Sequence, residues 1–71
     1  MNLYDFCQLL QKDYLVVAVD RGQVIFFDGY ISSIGDADMI GINEAKKFNI
    51  SRIELNSSYY DADIVLYGYS Y

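Results

Sequence analysis

The hydrophobic period of this chain changes once, at Tyr14, and that change limits the fold more than any other feature. Before it, Leu3, Phe6, Cys7 and Leu10 recur at i, i+3, i+4 and i+7, the apolar stripe of a short helix. Asn2 is a good N-cap, and Asp5 stands three residues later, where a carboxylate suits the helix dipole. The spacing predicts a helix over residues 2–11. After Tyr14 the helical stripe stops. Tyr14–Asp20 reads YLVVAVD and Gln23–Ile31 reads QVIFFDGYI, with Gly22 between them as the residue for a tight turn. A helix followed by a hairpin is the expected start.

Farther along, Ser32 to Asp38 is polar and breaks the pattern. Asn43–Phe48 (NEAKKF) has room for one to two turns of helix, capped by Asn43. Ile50–Asn56 reads as a third strand and Ala62–Ser70 as a fourth, with Gly68 marking a bulge or a close backbone approach. The fold expected is α+β: an N-terminal helix packed on a small antiparallel sheet of about four strands, with a short second helix near 43–48. All 71 residues form one domain, 1–71. A chain this short buries only about 60–65% of its unfolded surface. An apolar content of 54% offsets that handicap and argues against disorder.

Alternation makes strands 2 and 4 apolar on both faces. Ile25 and Phe27 oppose Val24 and Phe26; Ile64 and Leu66 oppose Val65 and Tyr67. One helix covers one face, so the second is expected to meet another element, a partner or another copy. A homodimer with a twofold contact through the C-terminal strand follows as an expectation.

Several chemistries are disfavoured. The chain has no histidine, which removes Ser-His and Cys-His nucleophile pairs and most zinc sites. The single cysteine, Cys7, lies on the apolar stripe of the helix and reads as a core residue of a protein in a reducing cytoplasm. There is no phosphate-cradling glycine motif, no signal peptide and no apolar run of the roughly 20 residues that span a bilayer. No cofactor is expected. Eight Asp and two Glu against three Lys and two Arg give a net charge of −5. Direct nucleic-acid binding needs a basic patch, and only Lys46–Lys47 offers even a pair. A basic protein surface is the natural partner.

Ser32–Ile40 (SSIGDADMI) and Ser57–Val65 (SSYYDADIV) share the pattern Ser-Ser-x-x-Asp-Ala-Asp followed by two bulky apolar residues. Counted as an EF-hand from Asp36, position 5 is Ile40 and position 12 is Lys47, which rejects that motif. No metal site is expected. Asp36, Asp38, Asp61 and Asp63 would hold a cation only if the two loops met. The simpler reading has aspartates initiating turns. Beyond the turns, the same four aspartates are the candidate acidic docking residues. Tyr59, Tyr60, Tyr67 and Tyr69 are the amphipathic anchors beside them. Carboxylates two residues apart on a strand stand roughly 6.5–7 Å apart, near phosphate spacing. Set against this, acidic residues often serve only to solvate a surface and tyrosines to finish a small core.

Leu3, Phe6, Leu9 and Leu10 in the opening helix, then Gly22, Phe27, Gly29 and Tyr30 across the hairpin, followed by Ile50, Ile53 and an apolar Ile64–Tyr67, carry a resemblance. The arrangement is similar to small accessory proteins of phages and mobile elements of Gram-positive bacteria. Some products of such loci inhibit host defence nucleases, including CRISPR effectors. The resemblance implies a non-enzymatic, anti-CRISPR-like inhibitor in the host cytoplasm, an acidic nucleic-acid mimic bound to a basic surface. The alternative, of another class, is a homo-oligomeric structural or regulatory module without mimicry.

Overall fold

A computed structural model describes residues 1–36 and 38–71. Ala37, the middle of the first Asp-Ala-Asp stretch, lies outside the described residues. The elements follow in the order α1 (Leu3–Gln8), β1 (Leu15–Asp20), β2 (Val24–Tyr30), a single 3-10 turn (Ile31–Ser33), α2 (Ile42–Ala45), β3 (Phe48–Ser57) and β4 (Ala62–Ser70). This is the expected α+β architecture of helices on a four-stranded sheet.

Asn2 caps α1 as its sequence position demands. Its Oδ1 accepts the Asp5 N–H at 2.8 Å, and its Nδ2 donates back to Asp5 Oδ2 at 3.1 Å, so each side chain serves the other. The helix stops at Gln8, with Leu9 as its C-cap. It is shorter than its apolar stripe because the chain must turn there to reach β1. The second helix also differs. Gly41, not Asn43, is its N-cap, and Phe48 has left it to begin β3, where it is completely buried.

The strand order is β2-β1-β4-β3. The two hairpins are antiparallel, but the central pair corrects the all-antiparallel expectation: β1 and β4 run parallel, with Val17 beside Val65 and Val19 beside Tyr67. Central parallel strands are shielded on both sides and carry near-continuous apolar runs, which is what LVVAV and IVLY are. The connection from β2 to β3 joins opposite edges of the sheet, and its Ile34, Ile40 and Ala45 pack with α1 into the principal core. That core holds Leu3, Cys7, Val16, Ala18, Phe27, Phe48, Ile64 and Leu66.

A bulge in β2, where Ala18 faces Phe27 and Val19 faces Ile25, breaks simple alternation. Phe26 therefore joins Phe27 in packing against the principal core, its ring 5.1 Å from that of Phe48. Gly68 sits where the β3 backbone at Asn49 and Ile50 closes on β4, the close approach that its place in a strand suggested. At the far end, Asp20 accepts hydrogen bonds from the Ser70 hydroxyl and N–H and from Arg21. The Arg21 backbone N–H also donates to the Gly68 carbonyl at 2.7 Å. These bonds clip the C-terminal strand to the β1–β2 turn.

Candidate functional site: the tyrosine-covered face of the sheet

The face of the sheet away from the helices holds a second, smaller cluster: Val17, Val19, Ala62 and Val65, with Leu15, Tyr60 and Tyr67 packed against it. Its three valines are at most 2% exposed, although no helix lies over them. Their cover is aromatic. Ser57 Oγ accepts the Tyr60 N–H at 3.2 Å across the β3–β4 turn, and Asn56 (φ 55°) and Asp61 (φ 52°) take left-handed backbone there. The turn lays Tyr60 against the valines. The Tyr60 ring lies 6.5 Å from that of Tyr67 and 4.7 Å from that of Tyr59, both edge-on, a favourable geometry for rings.

Tyr67 is held from a second side. The Arg52 guanidinium lies 4.0 Å from its ring centroid, a cation–π contact. Glu54 Oε1 stands 3.5 Å from its hydroxyl, at the limit of hydrogen bonding. Burial, and then the neighbouring Glu54 charge, push the Tyr67 phenol above its ordinary value.

Strand register defines the rest of this face. Asp28 opposes Val17 and Glu54 opposes Val65, so one row across the sheet reads Asp28, Val17, Val65, Glu54. Three strand spacings separate its two carboxylates by about 14 Å. Tyr30 opposes Leu15, and Ile25 opposes Val19; both are exposed, as is Tyr69. The face is an apolar centre with tyrosines upon it and carboxylates at its rims. Asp28 and Tyr30 stood outside the docking set drawn from the sequence, although Tyr30 carries part of the resemblance noted there. The signal for them was their alternation with Phe27 and Gly29 in β2.

The expected docking residues are divided by this geometry. Tyr60 and Tyr67 cover the valines, with Tyr59 and Tyr69 exposed beside them. Asp63 shares the face of Val65 at the start of β4, and its Oδ2 accepts the Leu15 N–H at 2.9 Å, so one oxygen fastens β1 to β4. Asp61 is exposed in the adjoining turn. Asp36 and Asp38 lie elsewhere, in the connection that packs on the helix side. Asp36 Oδ1 accepts the Asp38 N–H at 3.0 Å, and neighbouring Met39 reaches over Gly29 on the helix-covered face. Among the described residues, no three acidic or cysteine side chains come together as a cation site.

Cys7 is buried in the principal core, and burial pushes its thiol up to about 11, which keeps it protonated and unreactive at neutral pH. No helix among the described residues is long and apolar enough to cross a membrane. Comparison with known proteins gives no matching family model, curated protein or solved structure.

Proposed function

We propose that this chain is a non-enzymatic binding module that docks on a basic protein surface through the open face of its sheet. The observation that carries the reading is the composition of that face. Tyrosines and valines lie at its centre and Asp28, Glu54 and Asp63 at its margins, while its one cation, Arg52, is stacked on Tyr67. Interfaces favour tyrosine at the core and polar groups at the rim, and a carboxylate rim complements and steers toward a basic partner. The resemblance to phage accessory proteins supports one partner class in the host cytoplasm, the nucleic-acid-binding groove of a defence nuclease.

The test is competition. The purified chain is titrated into DNA binding by a panel of RNA-guided nucleases of Gram-positive bacteria, at low and high salt. The expected result is displacement of DNA by at least one member, weakened by salt. Asp28→Asn with Asp61→Asn, or Tyr69→Ala alone, should raise the inhibitory concentration about tenfold, the scale of losing 1.4 kcal/mol at a contact. Asp36→Asn with Asp38→Asn should change little. No displacement across the panel defeats the partner class, and equal losses from both aspartate pairs defeat the choice of face.

A further inference from the structure

We infer that the outer edge of β3 is a self-recognition surface, on which a second copy of this chain adds its own β3 antiparallel about a twofold axis at Ile53. β3 is an edge strand of ten residues. The N-terminal segment covers its beginning: Asn2 bridges Asn49, and the Ile50 N–H donates to the Met1 carbonyl at 2.9 Å. Past the irregularity at Ser51, the outer edge from Arg52 to Leu55 is in regular register with β4 and has no backbone partner of its own among the described residues. Asn56, with φ 55°, ends the straight part of the strand. The free stretch also exposes Ile53 at 46% and Leu55 at 65%. Unpaired apolar edges are templates for another strand, and proteins otherwise blunt them with charge, proline or bulges.

Charge chooses the occupant and the register. A twofold axis perpendicular to the sheet keeps each residue on its own face, so directly opposed residues must share a face. Strand geometry then allows only registers two residues apart. Centring on Ile53 places Arg52 opposite Glu54 of the second copy, and Glu54 opposite its Arg52. Centring one residue earlier opposes Arg52 to itself; one residue later opposes Glu54 to itself. The tripeptide Arg52-Ile53-Glu54 is therefore self-complementary in one register and self-repelling in both neighbours. Neither side chain makes an ion pair among the described residues; Arg52 stacks on Tyr67 and Glu54 stands beside its hydroxyl, contacts that leave the charge of each without an opposite partner. On the helix side, Ile53 meets its counterpart and Leu55 reaches it diagonally. The other edge, β2, offers no such match: its only charge is Asp28, which would gain no cation in any register. Pairing at β3 would create one eight-stranded sheet with the two open faces on the same side.

The experiment is sedimentation equilibrium from low to high micromolar concentration. Wild type should form a dimer. Arg52→Glu alone and Glu54→Arg alone should each weaken it about ten- to a hundredfold, since each turns two attractive cross-strand pairs into two repulsive ones. The double swap, R52E with E54R, should restore it to within about threefold by the same pairing rule. A wild type that stays monomeric overturns the inference. So does a dimer indifferent to the single reversals, or a double swap no better than either. Amide exchange on the wild type gives a readout free of any folding defect. Protection of residues 52–55 should rise with protein concentration, and exchange independent of concentration would refute the edge contact.

Discussion

Gly68→Ala should be among the most damaging single-methyl additions to this protein. Gly68 lies in β4 opposite Ile50, where the β3 backbone closes over it. A Cβ built there stands 2.9 Å from the Asn49 carbonyl carbon and 3.2 Å from the Ile50 Cα, and nearer still to the Asn49 carbonyl oxygen. These are backbone atoms, so no rotamer change relieves the clash. The whole start of β3 must lift by on the order of 1 Å, where overpacking typically costs about 1–3 kcal/mol. Movement of a hydrogen-bonded strand belongs at the upper end, about 3 kcal/mol. At about 0.05–0.15 kcal/mol per residue the domain holds roughly 4–10 kcal/mol in all. A loss of about 3 kcal/mol should lower Tm by about 12–24 °C. The assay is a circular-dichroism melt beside Gly41→Ser, a site where an added Cβ meets nothing within 4 Å and where serine suits the N-cap of α2. The control should match wild type or melt slightly higher. A Gly68→Ala protein within about 3 °C of wild type, less than 1 kcal/mol on this scale, would show that β3 does not approach β4 as described.

Three further outcomes follow from the same packing. Asn2→Ala removes the cap on the Asp5 N–H and should cost about 1 kcal/mol in urea unfolding; an unchanged midpoint would argue that α1 does not begin there. Cys7, buried with its thiol raised to about 11, should resist alkylation at mildly alkaline pH until denaturant is added, and rapid labelling of the native protein would contradict its burial. Asp20 is held below its ordinary value of 3.8, first by the Ser70 hydroxyl. A depressed carboxyl stabilises the fold above its unfolded value and loses that contribution as pH falls through its folded value. Asp20→Asn should therefore lower stability near neutrality and flatten the fall in stability below about pH 4, measured by urea midpoints across pH; parallel acid limbs would refute the role.

The local elements of this fold were legible because local chemistry determines them. Asn2 and Asp5 announce the cap, Gly22 announces the β1–β2 turn, and Ala62–Ser70 begins and ends where its pattern does. What alternation alone misread was the meaning of a strand apolar on both faces. In β4 it marks a central position, flanked by parallel β1. The β-branched run in β1 carried the same signal, since parallel strands at a sheet centre lose alternation. β2 failed for another reason. Its bulge carries Phe26 to the same core as Phe27, and a bulge fixed by the partner strand leaves little trace in a single sequence. The cover of the second face was also hidden, because it depends on how the β3–β4 turn directs Tyr60. The chain thus supplies part of the cover expected from a partner, and what it leaves exposed is a rim of tyrosine and carboxylate.

The two Ser-Ser-x-x-Asp-Ala-Asp stretches diverge because their spacers differ. Ile34-Gly35 stands in the first. Gly35 takes φ 98°, a conformation costly for other residues, and its N–H reaches back to the Ile40 carbonyl at 2.7 Å. That loop closes on itself, and Asp36 is spent on the Asp38 N–H within it. Tyr59-Tyr60 stands in the second. With no glycine there, Asn56 and Asp61 take the left-handed conformations instead. The loop becomes a tight hairpin, and the chain enters β4 at once. Asp63 then falls inside a strand, where its carboxylate reaches a backbone 48 residues away at Leu15. The same seven-residue pattern thus yields one self-contained loop on the helix side and one hairpin that positions both a strand and an aromatic cover. Asp63→Ala should consequently destabilise the fold by about 1.5–3 kcal/mol, since it removes a charge-assisted bond that ties the start of β1 to β4. Asp36→Ala removes only a bond within its own exposed loop and should leave stability within about 0.5 kcal/mol of wild type. Equal urea midpoints for the two variants would refute this asymmetry and return the stretches to equivalence.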